Sequence, residues 1–131
     1  MIFIDTNYFL RFLLNDVSDQ HKKVKELFLT GSEGKENLIT STIVFFEIYW
    51  VLSSYYEKEK TEIVKVLDNI LKLTFIKLDE REILISSIQL FQNANLDLED
   101  CYNLYFAKAQ NVKEFKTFDK KLEKEFLKSN V

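Results

Sequence analysis

Met1-Ile2-Phe3-Ile4-Asp5-Thr6-Asn7 opens the chain with three consecutive β-branched or aromatic residues that stop at a carboxylate. Such a run reads as a short buried strand ending at Asp5. Working outward, the spacing of apolar residues predicts helices over 7–14 and 20–30. Thr30-Gly31-Ser-Glu-Gly34-Lys-Glu-Asn37 holds the only two glycines and reads as a loop. Leu38-Ile39-Thr40 looks like a second strand, with Ser41 or Thr42 capping the helix after it. In that helix Ile43, Phe46, Glu47, Trp50, Val51 and Ser54 share one stripe, predicted to face the core. A further helix from about Thr61 carries Ile63, Val64, Leu67, Ile70 and Leu71 on one face, and Thr74–Leu78 reads as a strand. Asp79-x-x-Glu82 resembles a capping box, and Asp97 a second cap, ahead of Leu98, Cys101, Tyr102, Tyr105, Phe106 and Ala109 at helical spacing. Glu114-Phe-Lys-Thr117 is a short strand candidate, followed by Asp119 and a helix to about Leu127.

Strands alternating with helices imply an α/β fold: a small, mainly parallel central sheet flanked by helices on both faces, in three α/β/α layers. Functional residues in such sheets gather beyond the carboxyl ends of the strands. Asp5 is predicted at one such end, and Asp119 just past another.

Composition narrows the function. The chain has 131 residues, 47% hydrophobic and 30% charged, and with no repeat or linker it reads as one domain over 1–131. No apolar run approaches the roughly 18–20 residues of a membrane span. The amino terminus lacks the basic region of a signal peptide, so a cytoplasmic protein is expected. One cysteine, Cys101, and one histidine, His21, exclude an internal disulfide, Cys-rich zinc sites and histidine-dependent triads. The net charge of −3 argues against holding nucleic acid by broad attraction alone, but bound cations can locally reverse a carboxylate cluster.

Four acids stand out by position: Asp5, Glu47, Asp100 and Asp119. Each has an ordinary reading. Asp5 and Asp119 suit helix caps, and Asp100 suits the first turn of a helix, where the macrodipole favours a carboxylate. Glu47 is different, because a carboxylate on a core-facing stripe needs a cation. No Lys or Arg occurs between Lys35 and Lys58, which leaves a distant partner such as Arg11, or a metal. If the four converge, like charges at close range require protons or cations among them. An all-oxygen set without Cys or His suits Mg²⁺ or Mn²⁺, and a water activated there could hydrolyse a phosphodiester.

The residues around these acids resemble four motifs of the PIN-domain nucleases. They are Phe3-Ile-Asp-Thr-Asn7, Ser41-Thr-Ile-Val-Phe-Phe-Glu-Ile-Tyr-Trp-Val-Leu52, Asn95-Leu-Asp-Leu-Glu-Asp-Cys-Tyr-Asn103 and Lys116-Thr-Phe-Asp-Lys-Lys-Leu122. The likeness spans essentially the whole chain. In size the chain is most similar to the VapC-type toxins of toxin–antitoxin pairs. The resemblance implies a Mg²⁺- or Mn²⁺-dependent endoribonuclease whose catalytic metal ligands are Asp5, Glu47, Asp100 and Asp119. Thr117 and Asn7 would support them. It also implies a homodimer and a small antitoxin partner. The third motif carries two extra acids, Asp97 and Glu99; Asp100 is preferred as the ligand and Asp97 as a cap.

For RNA contact, Lys116 and Lys120 flank the implied site, whereas Lys22, Lys23 and Lys25 read as a solvated helix face. The aromatics, at helical spacing beside Leu and Ile, read as core or dimer interface rather than base-stacking groups. Three competing functions are an inactive PIN-like binding module, a PIN-type RNA-processing nuclease that is not a toxin, and a haloacid-dehalogenase-type phosphatase. The last resembles Asp-x-Asp, but position 7 is Asn.

Overall fold

In a computed structural model, which describes residues 1–14 and 17–129 and the side chains of all but Ser129, the expected parallel sheet forms from three short strands. These are β1 (Ile2–Phe3), β2 (Leu38–Ile39) and β3 (Ile76–Lys77), in the order β1-β2-β3. Ile2 aligns with Leu38 and Ile76, and Phe3 with Ile39 and Lys77. The first row runs into the core, and Ile4 continues it at 1% exposure; on the other row Phe3 is 55% exposed. β1 is therefore half-covered rather than buried. It lies at one end of the strand order, where only one face of its short apolar run meets packed side chains.

Residues 1–80 form one compact unit and 81–131 a second. The sheet belongs to the first, with α1 (Thr6–Leu14), α2 (Ser18–Ser32), α3 (Thr42–Trp50) and α4 (Lys60–Leu71). Parallel neighbours in sequence order need a crossover between each pair, and helices supply both. α1 packs against α3 as well as α2. Phe28 of α2 sits against Phe9 and Phe12 of α1, with ring centroids 5.7 and 4.9 Å apart. α2 runs two residues past the predicted end, so Gly31 is helical and buried rather than in a loop. A Cβ on Gly31 would stand 2.6 Å from Leu38 Cδ1, so any larger residue here would have to push the Leu38 side chain aside.

α4 buries all five residues predicted, Ile63, Val64, Leu67, Ile70 and Leu71. α3 does not follow its predicted stripe. It buries Val44, Phe45, Phe46 and Ile48, and continues into a π-helical turn at Val51–Tyr55 that buries Leu52. Ile43 and Trp50, predicted inward, are 62% and 41% exposed. α3 is apolar around nearly its whole circumference, so periodicity alone does not pick out the inward face.

The second unit is helical: α5 (Arg81–Asn93), α6 (Leu98–Ala109) and α7 (Lys120–Ser129). Leu84, Ile88 and Phe91 of α5 pack with Leu98, Cys101 and Leu104 of α6, and α7 adds Leu122 and Phe126. α5 starts at Arg81, so Asp79 of the predicted capping box lies outside the cap position. No strand forms over Glu114–Thr117. Phe115, the one apolar residue of that run, packs instead on Phe126 with ring centroids 5.5 Å apart.

Candidate active site

Asp5 leaves the sheet at a point braced by hydrogen bonds. The Ile4 N–H donates to the Ile39 carbonyl at 2.8 Å, and the Thr40 hydroxyl donates back to the Ile4 carbonyl at 2.8 Å. The Thr40 N–H reaches the Lys77 carbonyl at 3.0 Å. One buried threonine thus ties together the carboxyl ends of all three strands and fixes the backbone that carries Asp5. This positioning role of Thr40 escaped the sequence reading, which used the residue only to extend a strand. A threonine between a strand's last apolar residue and a helix cap was the available signal.

The Asp5 side chain turns back onto the residue that follows it rather than capping the helix through its second or third N–H. Its Oδ1 accepts the Thr6 N–H at 2.7 Å, and its carbonyl accepts the Tyr8 N–H at 3.1 Å. The neighbouring Thr6 is 6% exposed, and its hydroxyl has no hydrogen-bond partner. Asn7, the proposed support for Asp5, is exposed and lines a cleft between α1 and α2.

Glu47 is exposed on the outer face of α3, with Ile43 and Trp50. The core-facing position expected for it is wrong. The argument that a buried carboxylate there requires a cation falls with it, because water solvates this one. The start of the helix matches expectation: Ser41 is the N-cap, its hydroxyl accepting the Val44 N–H at 3.3 Å.

In the second unit, Asp97 occupies the N-cap of α6 but makes no side-chain cap bond, and Glu99 and Asp100 follow in the first turn. Burial raises the proton affinity of the Asp100 carboxyl above the usual carboxylate range, and the charges of Asp97, Asp119 and Glu99 raise it further. Asp119 caps α7: its Oδ1 accepts the Lys121 and Leu122 N–H groups at 3.0 and 3.2 Å. Its own N–H donates to the Thr117 hydroxyl at 3.0 Å. Asp119 therefore follows a tight turn rather than a strand end. Phe118, in that turn, is fully exposed, so at least this aromatic is not core. Lys120 is exposed, and Lys116 makes a surface pair with Glu114 at 3.6 Å, worth about 0–1 kcal/mol.

The acids offer only oxygen donors, which suits a hard divalent cation. The mutual repulsion around Asp100 is what such a cation relieves. As positioned, no three Asp, Glu, His or Cys side chains among the described residues stand within reach of one metal ion.

Comparison with known proteins gives an independent reading. The chain is 23% identical over 124 residues to a VapC ribonuclease of Aquifex aeolicus (strain VF5), covering 95% of this chain and 91% of that one. No solved structure matches significantly. A family profile described as the PIN domain matches residues 2–125. That match runs from the strand that ends at Asp5 into the helix that Asp119 caps, and by it the chain belongs to the PIN-domain family, whose α/β/α fold class it shares.

Proposed function

We propose that this protein is a metal-dependent endoribonuclease that acts in the cytoplasm as the toxin of a VapBC-type toxin–antitoxin pair. The ribonuclease named in Aquifex aeolicus supports the activity. The observation that carries the site is the Asp100 carboxyl, whose charge is disfavoured by burial first and then by Asp97, Asp119 and Glu99, a balance that a bound cation would relieve.

In this reading Asp5, Glu47, Asp100 and Asp119 hold Mg²⁺ or Mn²⁺, within one functional domain spanning residues 1–131. When bound, such an ion supplies positive charge to the phosphoryl oxygens and lowers the pKa of a coordinated water. The chain's own part is positioning. Thr40 fixes the end of β1 beneath Asp5, and the Thr117 hydroxyl orients the Asp119 backbone. Asn7 supports Asp5 from the first turn of α1. Lys116 and Lys120 bracket Asp119 and meet the RNA backbone as point charges. A homodimer and a small antitoxin complete the assembly.

The test is cleavage of a mixed RNA pool by purified, partner-free protein with Mg²⁺ or Mn²⁺, against the same reaction in EDTA. Cuts that require metal support the reading. A folded protein that cuts no RNA in either metal overturns it in favour of an inactive PIN-like binding module.

A further inference from the structure

The first unit contains a cleft of which the proposed chemistry uses only Asn7, at its edge. It has a volume of about 500 Å³ and lies between α1 and α2. Asn7, Tyr8 and Arg11 line it from α1, and Gln20, Lys23 and Val24 from α2. The spacings, i, i+1, i+4 on one helix and i, i+3, i+4 on the other, put each set on a single face. Val24, 2% exposed, forms an apolar floor, while Tyr8 keeps 40% of its surface open.

The lining has a consistent chemistry. It supplies two cations, two amides and a phenol, and no carboxylate among the described residues. In a chain with 21 acidic and 18 basic residues, a lining whose described charged groups are both cations favours an anionic ligand. An aromatic face beside cations is how proteins hold unpaired nucleotides: the ring stacks on the base and the cations take the phosphate. Side-chain amides can read the base edge, as single-stranded RNA sites do. The volume lies within the ~300–1,000 Å³ of ordinary ligand sites.

The walls are also pinned. His21 Nδ1 donates to the Arg11 carbonyl at 2.9 Å, which requires the Nδ1-protonated ring, and the ring stacks on Phe12 at 6.0 Å. Bracing of the α1 backbone lowers the ordering cost of binding in the cleft. Its position is specific too. α1 starts directly after Asp5, and Arg11 lies six residues on, about 9 Å along a helix axis. The cleft therefore opens off the same helix that leaves the strand end carrying Asp5.

We infer that the α1–α2 cleft is a nucleotide subsite, holding the RNA strand beside the cleaved bond with Tyr8 under a base and Arg11 and Lys23 on its phosphate. The inference rests on the nuclease reading for its substrate, but binding tests it separately. The probe is a short fluorescein-labelled single-stranded RNA of mixed sequence, bound in EDTA so that nothing is cut. Tyr8→Ala and Lys23→Gln are each expected to weaken binding at least about 5-fold. Lys23→Gln is also expected to reduce the salt dependence by about one phosphate contact, and Lys23→Arg to restore affinity. In metal, the same variants raise KM more than they lower kcat. Variants with wild-type circular dichroism that bind RNA as tightly as the parent overturn the subsite and leave the cleft to a protein ligand. Weakened binding by the variants of a protein that cuts nothing keeps the subsite and rejects the nuclease.

Discussion

Asp5 and Asp100 are the same chemical group held in opposite ways. Asp5 sits at the open end of a strand, takes a backbone N–H from Thr6, and stands on a backbone braced by Thr40. Asp100 sits in a helical turn where burial first, and then Asp97, Asp119 and Glu99, act against its charge. The difference teaches that two proposed ligands of one metal can be held by unlike means. One is fixed by a backbone hydrogen bond and a braced strand end, the other stands partly buried among further acids.

The strongest way to break the comparison is to remove each charge. Asp5→Asn and Asp100→Asn should both reduce metal-dependent RNA cleavage by at least ~100-fold, since losing even an outer partner of a metal ligand costs about 10–100-fold. Parent-like rates in both variants would remove these residues from the site.

Next comes the brace. Thr40→Val keeps the shape but leaves the Ile4 carbonyl buried without its donor, a loss of about 1–3 kcal/mol of stability by chemical denaturation. Cleavage measured well below the melting temperature should fall too, because Asp5 loses its fixed base. An unchanged rate would show that the brace serves folding alone. Asp119→Ala should cost about 1 kcal/mol through the lost cap of α7, whereas Asp119→Asn should keep most of that stability and lose activity.

The two substitutions, Asp5→Asn and Asp100→Asn, should then differ in their effect on stability. A carboxyl whose proton affinity is raised by folding favours the folded state at low pH, and that contribution is lost as pH rises through its raised pKa. Asp100→Asn should therefore raise the melting temperature at neutral pH, with the gain shrinking as pH falls through the carboxylate range. Asp5→Asn keeps an amide oxygen that can accept the Thr6 N–H, so its melting temperature at neutral pH should stay near the parent's. Equal shifts in both variants would dissolve the contrast. The smallest effect is expected at Thr6, whose hydroxyl is buried without a partner. Thr6→Val should be neutral or stabilising by no more than about 1 kcal/mol in a melting curve.

What could be read from the sequence follows the same division between local and non-local causes. A short strand just before Asp5, the Ser41 cap and the buried stripe of α4 are set by residues within a few positions of one another. These came out as read, except that the strand is half-covered rather than buried. The stripe of α3 did not, because a helix apolar on all sides is oriented by what packs on it, so Glu47 lies outside. The Glu114–Thr117 run alternates like a strand, but Phe115 found a better partner in Phe126. Thr40 was legible only as a strand residue, since its partners lie 36 and 37 positions away.

The central claim is that carboxylates from both halves of the sequence serve one metal. Isothermal titration of Mn²⁺ into the parent, Asp5→Asn and Asp100→Asn measures it most directly. The account predicts binding by the parent that either substitution alone severely weakens. Undiminished Mn²⁺ affinity in either variant would contradict it.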